Sequence, residues 1–284
     1  MEIAKTIKVF VTLLLFTILT AFLLGKMFET EYGNVALIKI YGEISFEESP
    51  FEKTANADKI IDNLKEAKEN PVIKALLIEI NSPGGTVVAT RNIANYLKSI
   101  NKTKVCLLKD VATSGAYWIA SACDVIVSDE YTITGSIGVT ASYLEFSKFF
   151  EKYGINYVRI VSGEEKDMGT PFREPTEKEI KNLQDIINEM HKDFIKDVAE
   201  NRNLSIQKVS EIADGSIFTG KKALELGLID VLGDKEKAIQ IIKQRTNLTQ
   251  VKLVEHEEKI SFVDLLSQFL SKNVFSLSKL KISA

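Results

Sequence analysis

The chain has 284 residues, 45% of them hydrophobic and 26% charged, and its 36 basic and 39 acidic side chains leave a net charge of −3. That balance provides no basic surface for nucleic acid, and no cysteine–histidine spacing suggests a metal site. The length suffices for one sizeable α/β domain or two small ones.

The N-terminus reads as membrane. Every residue of 9–24 is apolar or threonine, with Lys5 and Lys8 ahead of the run and Lys26 behind it. A spanning helix needs about 20 mostly apolar residues, and residues 7–28 meet this if Lys8 and Lys26 snorkel to the interfaces. A cleaved signal peptide is the rival, but no small-x-small cleavage pattern follows Leu24, so a retained signal anchor is expected. Lys5 and Lys8 outnumber Lys26, which places the N-terminus in the cytoplasm and the rest of the chain outside it.

Strand-like runs at 35–41, 73–80, 105–108, 125–127 and 157–161 then alternate with helical patterns at 57–69, 88–99, 115–121 and 143–152. Continuous apolar strands separated by helices predict an α/β fold whose largely parallel sheet is covered on both faces. Thr176 with Glu179 forms a capping-box pattern that opens a long helix. Its stripe Ile180, Leu183, Ile187, Met190, Phe194 and Val198 is expected to face the core. Shorter helices are predicted at 206–213, 221–226 and 235–246. The expected domains are an anchor with its juxtamembrane stretch (1–32), the main domain (33–250) and an amphipathic tail (251–284). The apolar face of that tail, from Phe262 to Leu270, suits a membrane, another subunit or its own domain equally. Cys106 and Cys123 sit in or beside apolar runs and are expected as buried free thiols rather than a pair.

Two glycine-rich turns stand where a strand meets a helix: Asn81-Ser82-Pro83-Gly84-Gly85-Thr86 and Thr113-Ser114-Gly115-Ala116-Tyr117. Glycine lets backbone N–H groups approach a ligand closely, and a helix N-terminus adds unpaired donors. Either turn alone reads as an ordinary strand-to-helix connection. Together they point to a serine nucleophile facing an oxyanion hole.

Such a serine needs a base. His191 lies off its helix's apolar stripe and His256 stands in a charged run, so both read as solvated, and a serine–histidine–aspartate triad is the minor alternative. A lysine base must be neutral, which requires bringing its pKa from about 10.4 to near 7–8 by burial in a dry pocket. Lys166 follows the predicted strand at 157–161, at the end of a strand where open α/β folds build sites. Lys109 lies five positions before Ser114, and chemistry alone leaves both lysines open.

The ordered set Asn81-Ser82-Pro83-Gly84-Gly85, Ser114-Gly115-Ala116-Tyr117, Thr134-Gly135-Ser136-Ile137-Gly138-Val139 and Ser162-Gly163-x-x-Lys166-Asp167 resembles the short, single-copy form of the SppA signal peptide peptidases. Asp214-Gly215 and the run from Ala223 to Asp230 match as well. The resemblance implies a Clp/crotonase-like spiral of ββα units and a membrane-bound serine protease. It assigns Ser114 as nucleophile, Lys166 as general base, Gly85 and Gly115 as oxyanion hole, and Ser136 as the residue orienting the lysine. It further implies leftover signal peptides or other apolar peptides as substrates, a homo-oligomer, and no cofactor or metal. A stomatin-type membrane protease, a crotonase-like acyl-CoA enzyme and an inactive scaffold of the same fold are the rival readings.

Overall fold

The computed structural model describes residues 13–14, 16–17, 33–48 and 54–255. The chain divides into a unit ending at Val254 and a second beginning at Glu255. Most of the expected anchor and all of the amphipathic face at 262–270 lie outside the described residues. Leu13, Leu14, Phe16 and Thr17 are helical and exposed. Among the described residues no helix is long and apolar enough to cross a membrane.

The chain begins with β1 (Val35–Tyr41), β2 (Glu43–Ser45), β3 (Thr54–Asn56) and α1 (Ala57–Glu69). Next come β4 (Ala75–Ser82), α2 (Val87–Lys98), β5 (Thr103–Thr113), α3 (Gly115–Ser121), β6 (Val125–Ser128) and β7 (Ile133–Gly135). After α4 (Ser147–Lys152) and α5 (Glu177–Arg202) follow α6 (Ile206–Ser210), β8 (Ile217–Thr219) and α7 (Gly220–Leu226). The order closes with β9 (Val231–Leu232), α8 (Lys235–Thr246) and β10 (Leu253–Glu255). The main sheet has the order β10-β1-β4-β5-β6-β9, with β7 on β5 and β8 on β7; β2 and β3 pair separately. The pairs β1–β4, β4–β5, β5–β6, β5–β7 and β6–β9 are parallel, and β7–β8 is antiparallel.

Register explains why these strands read as unbroken apolar runs. Ile38, Ile78, Cys106 and Ile126 align across four strands and face the core beneath α1, α2, α3 and α5. Their neighbours Leu37, Leu77, Val105 and Val125 align on the opposite face, closed by Ala238 and Ile242 of α8. Successive residues of a strand point to opposite faces, so a sheet covered on both sides needs apolar residues at every position. The capping box of α5 forms as predicted: Thr176 Oγ1 accepts from the Glu179 N–H and the Glu179 carboxylate accepts from the Thr176 N–H. The stripe of α5 divides, with Phe194 and Val198 buried and Ile180 exposed.

Two expectations fail. Residues 157–161 form no strand, and only 147–152 of the predicted helix at 143–152 is helical. Both errors fall in one arm between β7 and α5, where Leu144, Phe149, Tyr153, Val158 and Ile160 are all exposed. Their apolar, β-branched character suits a strand, but no described strand pairs with them. The arm is tied at its base by ions instead: Asp167 accepts from Arg159 and Arg173, and Arg173 also pairs with the buried Glu179.

The cysteines also depart from expectation: Cys106 and Cys123 form a disulfide across 17 residues. Burial alone does not distinguish a thiol from half of a bridge. The deciding fact is topological, because Cys106 points to the sheet face onto which α3 folds back, bringing Cys123 with it.

Closing a loop of this length contributes about 3 kcal/mol. Cys106→Ala with Cys123→Ala should therefore lower the thermal midpoint by several degrees, about 2–4 °C for each kcal/mol lost; an unchanged midpoint would contradict the staple. The arm's ion cluster has its own signature. The Arg173 guanidinium, helped by the Thr176 N–H, holds the Glu179 carboxyl at about 2, and Arg173 and Arg159 hold that of Asp167 well below the usual carboxylate range. Folded values below the unfolded ones mean that the stabilisation is full above about pH 4 and is lost as pH falls toward 2. Pepsin cleavage within 141–175 should rise steeply across that window, and Glu179→Gln should flatten the rise.

Candidate active site

Parallel strands deliver their carboxyl ends to one edge, and three of those ends build the site. β4 ends at Ser82 and runs into Pro83-Gly84-Gly85; β5 ends at Thr113 and hands the chain to Ser114; β7 ends at Gly135 just before Ser136. The ends are cross-tied. Thr113 Oγ1 donates to the Pro83 carbonyl (3.0 Å), Thr134 Oγ1 to the Ala112 carbonyl (2.7 Å), and the Ser114 N–H to the Gly135 carbonyl (2.8 Å). From the second sheet, the Ile44 N–H donates to the Gly84 carbonyl (2.8 Å) and the Thr86 N–H to the Ile44 carbonyl (2.9 Å).

Ser114 has φ 54° and ψ −125°, a conformation L-residues rarely adopt, and it caps the buried helix α3. A strained serine at a strand-to-helix turn pushes its hydroxyl out of the backbone path, the geometry of a nucleophile elbow. The glycines around it are sterically required. Gly84 has φ 107°, and a Cβ there would stand 2.9 Å from both the Gly115 nitrogen and Ser114 Cβ. A Cβ on Gly85 would overlap the Ile44 carbonyl, and one on Gly115 would overlap Thr90 Oγ1. Neither Gly85 N–H nor Gly115 N–H donates to an acceptor among the described residues.

Ser114, Gly85, Gly115 and Ser136 line one cavity of about 490 Å³. Four of the five residues singled out in the sequence are thus brought together. Lys166 is not: it is exposed on the arm and does not line the cavity, and neither does Lys109, exposed on β5. His256 lies outside the described residues.

The cavity also holds residues that sequence reasoning missed. Val87, Trp118, Phe194 and Ala213 give it apolar walls, and Trp118 stacks on Phe194 with ring centroids 4.2 Å apart. His191 lines it too, which corrects the reading of that residue as solvated. The missed signal was spacing: His191 lies three residues before Phe194, hence on the same helix face one turn away. Asp214 completes the lining, its carboxyl held below the usual range by hydrogen bonds from Ser216. Among the described residues no cluster suits a metal ion.

A serine hydroxyl beside two free N–H groups, in a cavity with apolar walls, suits acyl transfer from a peptide. Comparison with known proteins agrees. Residues 97–249 match the model of peptidase family S49, and residues 40–126 match that of Clp protease. A putative protease of Methanocaldococcus jannaschii is 35% identical over 235 residues, covering 79% of this chain and 75% of that protein. A putative signal peptide peptidase SppA of Enterococcus faecium is 36% identical over 205 residues (71% of this chain, 60% of the relative). Protease 4 of Haemophilus influenzae is 30% identical over 247 residues, and the match spans 84% of this chain but only 40% of that longer protein. With more than half of its length inside the family model, and a mixed α/β fold carrying a serine in the lining of a cavity of about 490 Å³, the chain belongs to peptidase family S49 and is a serine protease.

Proposed function

We propose that this protease is anchored in a membrane by its N-terminal segment, works outside the cytoplasm, and degrades signal peptides or other apolar peptides with a Ser114–Lys166 dyad. The observation that carries the reading is the convergence of Ser114, Gly85, Gly115 and Ser136 on one cavity with apolar walls. Residues 9–24 support the anchor, and the relative named a putative signal peptide peptidase supports the substrate class. The Cys106–Cys123 bridge supports the compartment, because structural disulfides persist where the surroundings are oxidising.

In this mechanism the substrate lies extended across the cavity mouth, and Ser114 Oγ attacks the scissile carbonyl. Neutral Lys166 takes the hydroxyl proton, with Ser136 orienting the amine. The Gly85 and Gly115 N–H groups hold the oxyanion, each worth about 2.7–4 kcal/mol at the transition state. Lys166 then passes the proton to the leaving amine and activates the water that releases the acyl-enzyme.

Assembly supplies what a single copy lacks. Lys166 stands outside the cavity of its own chain, on an arm whose apolar side chains are exposed. A homo-oligomer covers that arm with a second copy and brings Lys166 to a neighbouring Ser114, in a drier setting where the amine gives up its proton more readily. A membrane protease of the stomatin-cleaving kind remains the second reading, since it uses the same glycine turns.

Three outcomes follow. Ser114→Ala and Lys166→Ala should each reduce peptide hydrolysis by at least about 10³-fold while leaving the fold intact. Mixing and reassembling the two inactive variants should restore part of the activity; a mixture that stays inactive would show that the dyad does not span copies. Gly85→Ala should lower kcat by about 10²–10³-fold by displacing one oxyanion donor, and a kcat within twofold of the parent would remove Gly85 from that role.

A further inference from the structure

We infer that the cavity beside Ser114 selects a tyrosine-like side chain, apolar along its body with a hydroxyl at its tip, and that His191 and Thr90 bind the hydroxyl. The inference deepens the hydrolase reading and rests on it.

The position of His191 follows from helix register. α5 advances alongside α2, since Asp193 pairs with Arg91 (3.4 Å) and Glu200 with Lys98 (3.5 Å). It advances alongside α3 in the same sense: Trp118 Nε1 donates to Asp197 (2.9 Å), and Asn201 Nδ2 donates to Ser121 Oγ (3.0 Å). The Trp118–Phe194 stack fixes the level of the two helices. One turn back from that stack on each helix lie Ser114 and His191. His191 is therefore the α5 residue level with the nucleophile, and both line the same cavity.

The chemistry there is unfinished. His191 Nε2 is shielded from solvent and has no hydrogen-bond partner among the described residues. The same holds for Oγ1 of Thr90, a residue only 1% exposed and part of the same lining. Native proteins rarely leave buried polar atoms unpaired, and an exception calls for an explanation. An apolar ligand would leave both atoms unpaired. A phenolic hydroxyl is the substrate group that matches both, offering a donor for an imidazole nitrogen and an acceptor for the threonine hydroxyl. Val87, Trp118, Phe194 and Ala213 provide the apolar surface for the ring, and about 490 Å³ accommodates an aromatic side chain with its flanking peptide.

Sites built to bind a substrate hydroxyl discriminate strongly against the analogue that lacks it. The test compares kcat/KM for two peptides that differ only in tyrosine or phenylalanine at the residue supplying the scissile carbonyl. The full-length protein should prefer tyrosine by about 10-fold or more. His191→Leu should bring the ratio near one, and His191→Gln, whose amide carbonyl can accept, should partly restore it. Thr90→Val gives the same ratio readout if His191→Leu does not fold. Equal or better cleavage of the phenylalanine peptide by the parent protein, or a ratio unmoved by both substitutions, overturns the inference. Absence of any Ser114-dependent cleavage overturns the hydrolase reading and this inference with it.

Discussion

The site depends on holding one serine in a backbone conformation that it would not adopt unaided. At φ 54° Ser114 carries strain of about 1–3 kcal/mol, and the surrounding structure has to over-determine that geometry. It does so from three sides. The Gly135 carbonyl receives the Ser114 N–H, α3 behind it is wholly buried, and Gly84 leaves room where any side chain would strike Ser114 Cβ. The two N–H groups proposed for the oxyanion hole are placed by the same packing, since Gly85 is pressed against Ile44 and Gly115 against Thr90.

That arrangement separates a rigid half from an unfinished one. The rigid half is the twice-covered sheet, with the disulfide bracketing the nucleophile between β5 and the end of α3. α5 extends it, because Trp118 both stacks on Phe194 and donates to Asp197, fixing the wall of the cavity to the helix that bears the serine. The arm between β7 and α5 is the other half. It exposes large apolar side chains, carries Lys166, and is held to the body at Glu179 by charge more than by core packing. Ser114 is thus set within the rigid half, whereas Lys166 lies on the arm, outside the cavity that Ser114 lines.

The sequence was most legible where local chemistry and burial agree. The bounds of β1, α1, α3 and α8 fall where pattern and capping residues place them, because apolar runs and helix caps are local signals. Residues 157–161 misled for the opposite reason: β-branched side chains signal a strand only when a partner strand exists, and the partner is not encoded locally. The glycine turns were legible because backbone approach demands glycine wherever it occurs. His191 was legible only in part: its spacing from Phe194 gives the helix face, but the cavity on that face is built by other elements and is not encoded along α5. The disulfide escaped for the same reason, as it depends on where α3 folds.

The central claim, that the Ser114 turn is a preorganised nucleophile facing an oxyanion hole, is tested most directly by covalent capture. The full-length protein in detergent would be treated with a serine-reactive alkyl phosphonate, digested, and mapped by mass spectrometry. The account predicts a single phosphonate adduct on Ser114, abolished by prior unfolding. An adduct on another serine, or equal labelling of Ser114 in the folded and unfolded protein, would contradict it.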